Sequence, residues 1–372
     1  MKVLFTGGGT GGHIYPALAV IERLQADPAY GIAADGIAWV GRGEGMERDI
    51  IERHGLAYFS IATGALRGRG LWGKGQSMAR VIPGVGQGLR LLREFGASAV
   101  FATGGYVTAP LVVAAWLRRV PVLIYLPDME PGMAVRWQSR LAHGVGVTVD
   151  QVAAHFNGAK VTVTGYPVRR ALFDVTKQEA RQRLGLDGGR PVLLVLGGSS
   201  GAHSINMAVS RDLERLLALA QVIHISGTPD FEMLQARRDQ LPGALREQYH
   251  LSAYLHQEMP DALGAADLVV ARAGAATLGE FPVLGLPSVL VPYPHAGQHQ
   301  QPNADYLAER GAAVVLDDAA LADDFAETVT ALLDDPPRLA SMSDAARRLS
   351  TGDGAARLAE LLVEMAKGTR HG

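Results

Sequence analysis

The chain has 372 residues, 48% hydrophobic and 19% charged, with 45 glycines, 19 prolines, no cysteine and a formal net charge of −2. This composition supplies cores for two to three domains of about 100–200 residues each and excludes bulk disorder. It also excludes disulfides, thiolate zinc sites and cysteine nucleophiles, while the glycine excess, without a G-x-y period, points to tight turns or to backbone brought close to a ligand.

The predicted elements begin with a strand (Lys2–Thr6), a glycine loop (Gly7–Gly12) and a helix (Tyr15–Gln25). Short β-rich runs recur at Gly36–Val40, Ala99–Ala102, Pro121–Leu126, Gly144–Val149 and Lys160–Thr164, with helical stretches such as Gly86–Phe95 and Leu111–Arg118 between them. Alternation of this kind predicts βα units and a parallel sheet. The pattern restarts at Pro191–Leu196, followed by Gly197-Gly198-Ser199-Ser200-Gly201-Ala202-His203 and a helix through Leu219. Further strands are predicted at Gln221–Ser226, Leu268–Ala271, Ser288–Pro292 and Ala313–Leu316, and a last helix at Ala355–Lys367. The fold class is therefore α/β, with two doubly wound parallel-sheet domains hinged near Gly165-Tyr166-Pro167-Val168-Arg169.

The opening apolar run is too short for a signal-peptide core, and no stretch approaches the ~18–20 apolar residues that span a bilayer. The best candidate, Leu111–Leu117, ends at Arg118 and Arg119. A soluble or peripheral, cytoplasmic protein is expected. The small net charge hides an asymmetry: residues 1–164 carry 16 Lys+Arg against 11 Asp+Glu, and the remainder 19 against 26. No acid occurs from Arg53 to Arg93, where Arg67, Arg69, Lys74, Arg80 and Arg90 alternate with Leu66, Leu71, Trp72, Met78, Val81 and Ile82. Such a stretch suits an anionic surface, or it is an ordinary solvated face.

Gly7–Gly12 contains G-x-G-x-x-G directly after a strand, which allows a tight turn and offers a helix N-terminus to an anion. A dinucleotide site also wants an acid at the tip of the second strand. Here that strand ends Trp39-Val40-Gly41-Arg42, so a dinucleotide oxidoreductase is the weaker reading. No Gly-Lys-Ser/Thr follows either glycine loop, so a Walker site fails. His13, where loop meets helix, is either a general base or a histidine bonded into the turn. Gly104-Gly105-Tyr106-Val107 makes another glycine turn after a strand. Arg272-Ala273-Gly274-Ala275-Ala276-Thr277 lets a phosphate approach, and Glu280 either accepts two vicinal hydroxyls or complements a helix dipole. Pro294-His295 and His299-Gln300-Gln301 with Asn303 form a polar cluster suited to sugar hydroxyls or a plain polar loop. There is no Asp-x-Asp and no thiol, and His295 and His299 lie in a Pro/Gly-flanked loop. No metal or other cofactor is expected.

In this order and spacing, Gly8–His13, Gly104–Val107, Gly197–Ala202 and Arg272–Asn303 resemble the MurG family over nearly the whole chain. Members are peptidoglycan N-acetylglucosaminyltransferases, and the resemblance implies the GT-B fold, two Rossmann-like domains facing a cleft. The implied domains are 1–164, facing acceptor and membrane, with a C-terminal helix (about 353–372) packed back on it, and 165–352, holding the donor. The implied reaction moves GlcNAc from UDP-GlcNAc to the C4 hydroxyl of lipid I, inverting configuration to give lipid II.

The resemblance assigns the donor to Thr10, Gly11, Gly12, Arg169, Ser199, Leu255 (uracil), Ala275, Ala276, Thr277, Glu280 (ribose), Gln300 and Gln301 (sugar hydroxyls). It gives the acceptor Gly104, Gly105 and Tyr106. His13 is the candidate base. Arg67, Arg69, Leu71, Trp72, Lys74, Arg80 and Trp116 would face the anionic cytoplasmic membrane. Other cell-wall synthesis proteins are candidate partners; nucleic acid is not. Asp128 stands where the family commonly has asparagine, which makes it a second candidate base, and Ser200 replaces a glutamine. These departures motivate two alternatives: a related transferase with another acceptor, or a catalytically silent nucleotide-sugar-binding scaffold.

Overall fold

The computed structural model describes the chain apart from Thr10, Ala34, Glu44, Ser199 and residues 64–70, 157–159, 295–299 and 369–372; for residues 71–81 only the backbone is described. Two compact units emerge: Met1–Val168 with Asp353–Gly372, and Arg169–Gly352. The division falls at Val168/Arg169, four residues beyond the sequence-drawn boundary at 164/165. Tyr166 and Val168 are buried, and the Gly165 carbonyl accepts from the Tyr125 hydroxyl at 3.3 Å. These contacts keep the connecting strand's tail with the first unit.

The first unit is a seven-stranded parallel sheet in the order β3-β2-β1-β4-β5-β6-β7. The strands are β1 (Val3–Thr6), β2 (Ile37–Gly41), β3 (Ala57–Ser60), β4 (Ala99–Ala102), β5 (Val122–Leu126), β6 (Gly144–Val147) and β7 (Val161–Val163). Strands β1, β2, β4, β5 and β6 are buried along their whole length, which is why they read as unbroken apolar runs. Strand β3 lies at the sheet edge, largely exposed, and carries no such run. Leu358, Ala359, Leu362 and Val363 of the terminal helix Gly354–Gly368 join one core with Ile14, Val20, Ile21 and Leu24 of helix Gly11–Ala26.

That first helix begins at Gly11 rather than Tyr15, so the glycine loop supplies its first turn. The helix predicted over Gly86–Phe95 extends back to Leu71, through Pro83. Its glycines permit a close crossing: a Cβ at Gly88 would lie 3.0 Å from the Ala114 methyl on helix Ala109–Leu117.

The second unit is a six-stranded sheet in the order β10-β9-β8-β11-β12-β13, again all parallel. Its strands are β8 (Val192–Leu196), β9 (Gln221–Ile225), β10 (Tyr249–Ser252), β11 (Leu268–Ala271), β12 (Ser288–Leu290) and β13 (Ala313–Val315). In each sheet the order reverses direction beside its first strand, at β1/β4 and at β8/β11. Ligands of open α/β sheets bind outside the carboxyl ends of strands at such points.

Strand β9 carries His224 into the core, where burial pushes its imidazole down to about 3 from 6.5. The neutral ring's contribution is therefore complete above pH 6.5 and is lost as pH falls toward 3. Urea unfolding followed by circular dichroism is expected to fall more steeply with acid in this protein than in His224→Gln. The difference in slope reaches about 1.4 kcal/mol per pH unit; equal slopes would place the titration elsewhere.

Candidate active site

At the first unit's carboxyl edge the loops after β1 and β4 touch. A Cβ on Gly105 would lie 3.3 Å from the Gly8 Cα, and one on Gly8 would lie 2.6 Å from the His13 Cδ2. Gly104 and Gly105 both have φ near +92°, a conformation that glycine adopts without strain. The loop is braced from beneath by buried Gln138, whose Nε2 donates to the Gly105 carbonyl at 3.1 Å. Thr108 Oγ1 lies 2.7 Å from Gln138 Oε1.

His13 sits in this frame, half-buried, with Nδ1 2.8 Å from the Thr103 carbonyl oxygen. A carbonyl only accepts, so Nδ1 carries the hydrogen, and in the neutral ring Nε2 carries the lone pair. The bond into the turn and the role of base are thus compatible, because one fixes the tautomer that the other requires. Asp128 follows β5, two strands from β1 on the same edge. Its loop is tied down by Thr148 Oγ1, which donates to the Pro127 carbonyl at 2.9 Å. Tyr106 is half-buried and opens a short 3-10 turn, Tyr106–Thr108.

Strand β2 ends at Gly41, followed by Arg42, without an acid at its tip, in line with the sequence reading. Glu47, six residues past Gly41 on the helix Met46–Arg53, is buried. Its Oε1 accepts from Trp39 Nε1 at 2.8 Å, and its Oε2 lies 3.2 Å from the Tyr58 hydroxyl. Burial lifts its carboxyl above the ordinary range. Trp39 forms the wall behind Gly7, where a Cβ would lie 3.1 Å from the indole. Glu47 therefore supports the first glycine loop and does not face its mouth.

At the second unit's carboxyl edge, β11 runs into a 3-10 turn (Ala275–Leu278) and the short helix Glu280–Leu284. Thr277 Oγ1 donates to the Gly274 carbonyl at 2.8 Å. Fully buried Asn303 donates to the Ala273 carbonyl at 3.0 Å, so the turn is held from both ends. The first N–H groups of such a turn have no partner inside it and face outward. Glu280 is 16% exposed, with Oε1 3.4 Å from Arg169 Nη2. Burial pushes its carboxyl above its ordinary range, while Arg169 pulls it down.

Gln300 and Gln301 open helix Gln300–Ala308. Gln300 Oε1 accepts from the Tyr293 N–H at 2.9 Å, which leaves its amide hydrogens facing outward. Gln301 Nε2 donates to Asp305 at 2.8 Å. Leu255, half-buried, lies in the loop that follows β10 on the same edge. The sequence reading left Arg272 without a task. It is 9% exposed and grips Asp318 at 2.5 Å, and donates to Ser204 Oγ at 2.8 Å, tying β11 to the start of helix His203–Leu219.

The second unit thus gathers Arg169, Ala275, Ala276, Thr277, Glu280, Gln300, Gln301 and Leu255 along one edge. The first gathers Gly11, Gly12, His13, Gly104, Gly105, Tyr106 and Asp128. Thr10, Ser199, Arg67, Arg69 and the pair His295 and His299 lie outside the described residues. Leu71, Trp72, Lys74 and Arg80 lie on helix Leu71–Phe95, of whose side chains there only the later ones are described. Trp116 is 51% exposed, beside Leu117. Among the described residues, no helix is long and apolar enough to cross a membrane.

Comparison with known proteins agrees with this architecture. The glycosyltransferase family 28 N-terminal domain matches residues 3–147, and the family 28 C-terminal domain matches residues 192–360. A Roseiflexus protein named UDP-N-acetylglucosamine--N-acetylmuramyl-(pentapeptide) pyrophosphoryl-undecaprenol N-acetylglucosamine transferase is 39% identical, over 97% of this chain and 94% of its own. Its namesake from Desulforudis audaxviator is 38% identical over the full length of both. Among solved structures, MurG of Acinetobacter baumannii is 25% identical with a TM-score of 0.76, covering 98% of this chain and 99% of its own. A UDP-GlcNAc 2-epimerase from Neisseria meningitidis, 16% identical with a TM-score of 0.67, shares the fold. Two parallel-sheet units, each with its loops at a strand-order reversal, and full-length relatives above the 30% level lead to one assignment: the chain belongs to the MurG family and has the GT-B fold.

Proposed function

We propose that this chain transfers N-acetylglucosamine from UDP-GlcNAc to the C4 hydroxyl of lipid I, forming lipid II in peptidoglycan synthesis. The observation that carries the reading is family membership that reaches both units, with a relative of that name aligned over the full length of both chains. In this reaction the acceptor oxygen attacks C1 of the sugar, the bond from C1 to the diphosphate breaks, and the configuration inverts. His13 Nε2 takes the hydroxyl proton as the new bond forms. Glu280 accepts the ribose hydroxyls, and the amides of Gln300 and Gln301 meet the sugar. Arg169 and the N–H groups of Ala275 and Ala276 meet the diphosphate as its charge grows, while the Thr277 N–H closes the turn on the Gly274 carbonyl, so preorganised dipoles stabilise the leaving group.

The direct test is transfer of labelled GlcNAc from UDP-GlcNAc to a short-chain lipid I analogue. Transfer to another lipid but not to lipid I would sink the acceptor assignment, and no transfer to anything would leave only a binding protein.

We further propose that the first unit binds the anionic, cytoplasmic face of the membrane peripherally. Ile82 is 73% exposed and Trp116 51%, on two helices that pack together, with Leu117, Arg118 and Arg119 also exposed. Apolar side chains beside cations suit a headgroup interface. Neutralising Arg67, Arg69, Lys74 and Arg80 together is expected to weaken sedimentation with anionic vesicles at least tenfold at low salt, at about 1 kcal/mol per cation. The loss shrinks as salt rises. Unchanged binding would mean that this stretch is a solvated face.

A further inference from the structure

A chain of polar groups runs beneath the second unit's carboxyl edge, and none of its members belongs to the site described above. The Tyr249 hydroxyl lies 2.8 Å from His224 Nδ1, and His224 Nε2 lies 2.9 Å from Asn206 Oδ1. Asn206 Nδ2 donates to the Ser226 carbonyl at 2.8 Å and to Asp230 Oδ2 at 2.7 Å. Asp230 Oδ1 in turn lies 2.8 Å from His203 Nδ1. His224, Tyr249 and Asn206 are buried.

The direction of every bond follows from chemistry. Turning the Asn206 amide over would set its oxygen against a carbonyl and a carboxylate, so Oδ1 faces His224. Oδ1 only accepts, so His224 Nε2 carries the hydrogen. The ring is neutral, so its Nδ1 accepts and Tyr249 donates. With a neutral ring, this arrangement satisfies every group in the chain.

The far end of this chain is backbone at the ligand edge. A Cβ on Gly201 would lie 2.2 Å from the Ser226 carbonyl oxygen, and one on Gly227 would lie 2.6 Å from the Gly201 Cα. The loop after β8 therefore rests directly on the Ser226–Gly227 turn, which Asn206 holds through the Ser226 carbonyl while the turn's own N–H groups donate to the Ser252 and Ala253 carbonyls. A shift in Asn206 moves the surface on which the loop sits.

We propose that His224 is a positioning residue for the donor's diphosphate: through Asn206 it fixes the Gly201–Gly227 contact, and with it the backbone N–H groups that follow β8. This deepens the reading of the chain as a UDP-GlcNAc transferase and rests on it. Uridine makes no demand on that loop, whereas a diphosphate does. Breaking the chain should therefore discriminate between ligands that differ only in phosphate.

The test measures binding of UDP and of uridine, by calorimetry and ligand-observed NMR, to the full-length protein and to Tyr249→Phe and His224→Phe. Tyr249→Phe keeps the ring in place and removes one donor, so it guards against a variant that fails to fold. The expected result is a rise of about tenfold in the Kd for UDP, as the N–H groups after β8 lose their fixed position, with uridine affected less than twofold. Ring ¹⁵N shifts of His224 are expected to show a protonated Nε2 and a bare Nδ1. If the parent protein binds UDP and both variants keep the same preference for UDP over uridine, His224 is a core histidine and this inference falls while the function stands. A protonated Nδ1 would overturn it too. If the parent protein does not bind UDP, the transferase reading falls and takes this inference with it.

Discussion

Glu280→Gln is expected to raise the KM for UDP-GlcNAc by about a hundredfold and to leave vesicle binding untouched. A carboxylate bound to two vicinal hydroxyls makes two charge-assisted hydrogen bonds, each contributing roughly 1.5–3 kcal/mol. Glutamine keeps the shape but offers one neutral acceptor, so about 3 kcal/mol, or two decades, is lost. The ligand-free geometry supports the role. The carboxylate is nearly enclosed and the Arg169 guanidinium stands 3.4 Å away, which leaves room for shorter bonds to a ligand. Holding that charge without ligand has a cost. Burial lifts the Glu280 carboxyl above its ordinary value despite Arg169, so ionised Glu280 destabilises the fold at neutral pH. The glutamine variant is therefore expected to unfold at higher temperature at pH 7, with the gain vanishing below about pH 4.5, where folded and unfolded carboxyls are both protonated. Unchanged donor kinetics would refute the ribose role. A lower melting temperature at pH 7 would refute the strain.

The parts of this architecture that a reader of the sequence can see are those whose burial is two-sided. Strands β1, β4, β5, β8 and β11 lie in sheet interiors, so their apolar runs are unbroken, and glycine loops follow β1, β4 and β8. Two of the four edge strands escape the same reading, while β7 and β13 do not: Ala57–Ser60 exposes a face, and Tyr249–Ser252 alternates with histidine and serine. The long helix Leu71–Phe95 was legible only in its second half, because Gly73, Gly75 and Pro83 punctuate the first. Farther along, Gly88 serves close packing against a neighbouring helix, which looks like a loop signal when only spacing is read. In the site, residues whose chemistry is carried by their own side chain, such as His13 and Glu280, stand out. Supporting residues do not. Glu47, Gln138, Asn206 and Arg272 each act on groups brought near by the fold from 8 to 68 positions away, and only the fold makes those pairs neighbours. His224 left one trace: an imidazole in the middle of the apolar run Gln221–Ile225, where a core strand has no cheap place for it.

His13→Ala is expected to lower kcat by 10²–10⁴, the span usually contributed by a positioned general base, while the Kd for UDP changes less than twofold. The asymmetry follows from where the ring is held. Its Nδ1 bonds to the Thr103 carbonyl just past β4, in the unit that does not contain Glu280, Arg169 or the Ala275–Leu278 turn. Removing it leaves every donor-edge hydrogen bond in place. Two further substitutions separate this reading from its rival, Asp128. Gly8→Ala puts a methyl 2.6 Å from the His13 Cδ2, so it must turn the ring off the Thr103 carbonyl without altering any titratable group. It should reproduce much of the His13→Ala loss if ring orientation matters. Asp128→Asn keeps the shape and removes only the charge, and it restores the amide common in the family. If Asp128 takes the proton, that variant collapses in kcat and Gly8→Ala does not. If His13 takes it, the order reverses, because a carboxylate two strands away contributes orientation or field, and its neutral isostere retains most of the rate. Equal losses in all three would mean that both groups act on one proton through a shared path, and double variants would then fall no further than the single ones.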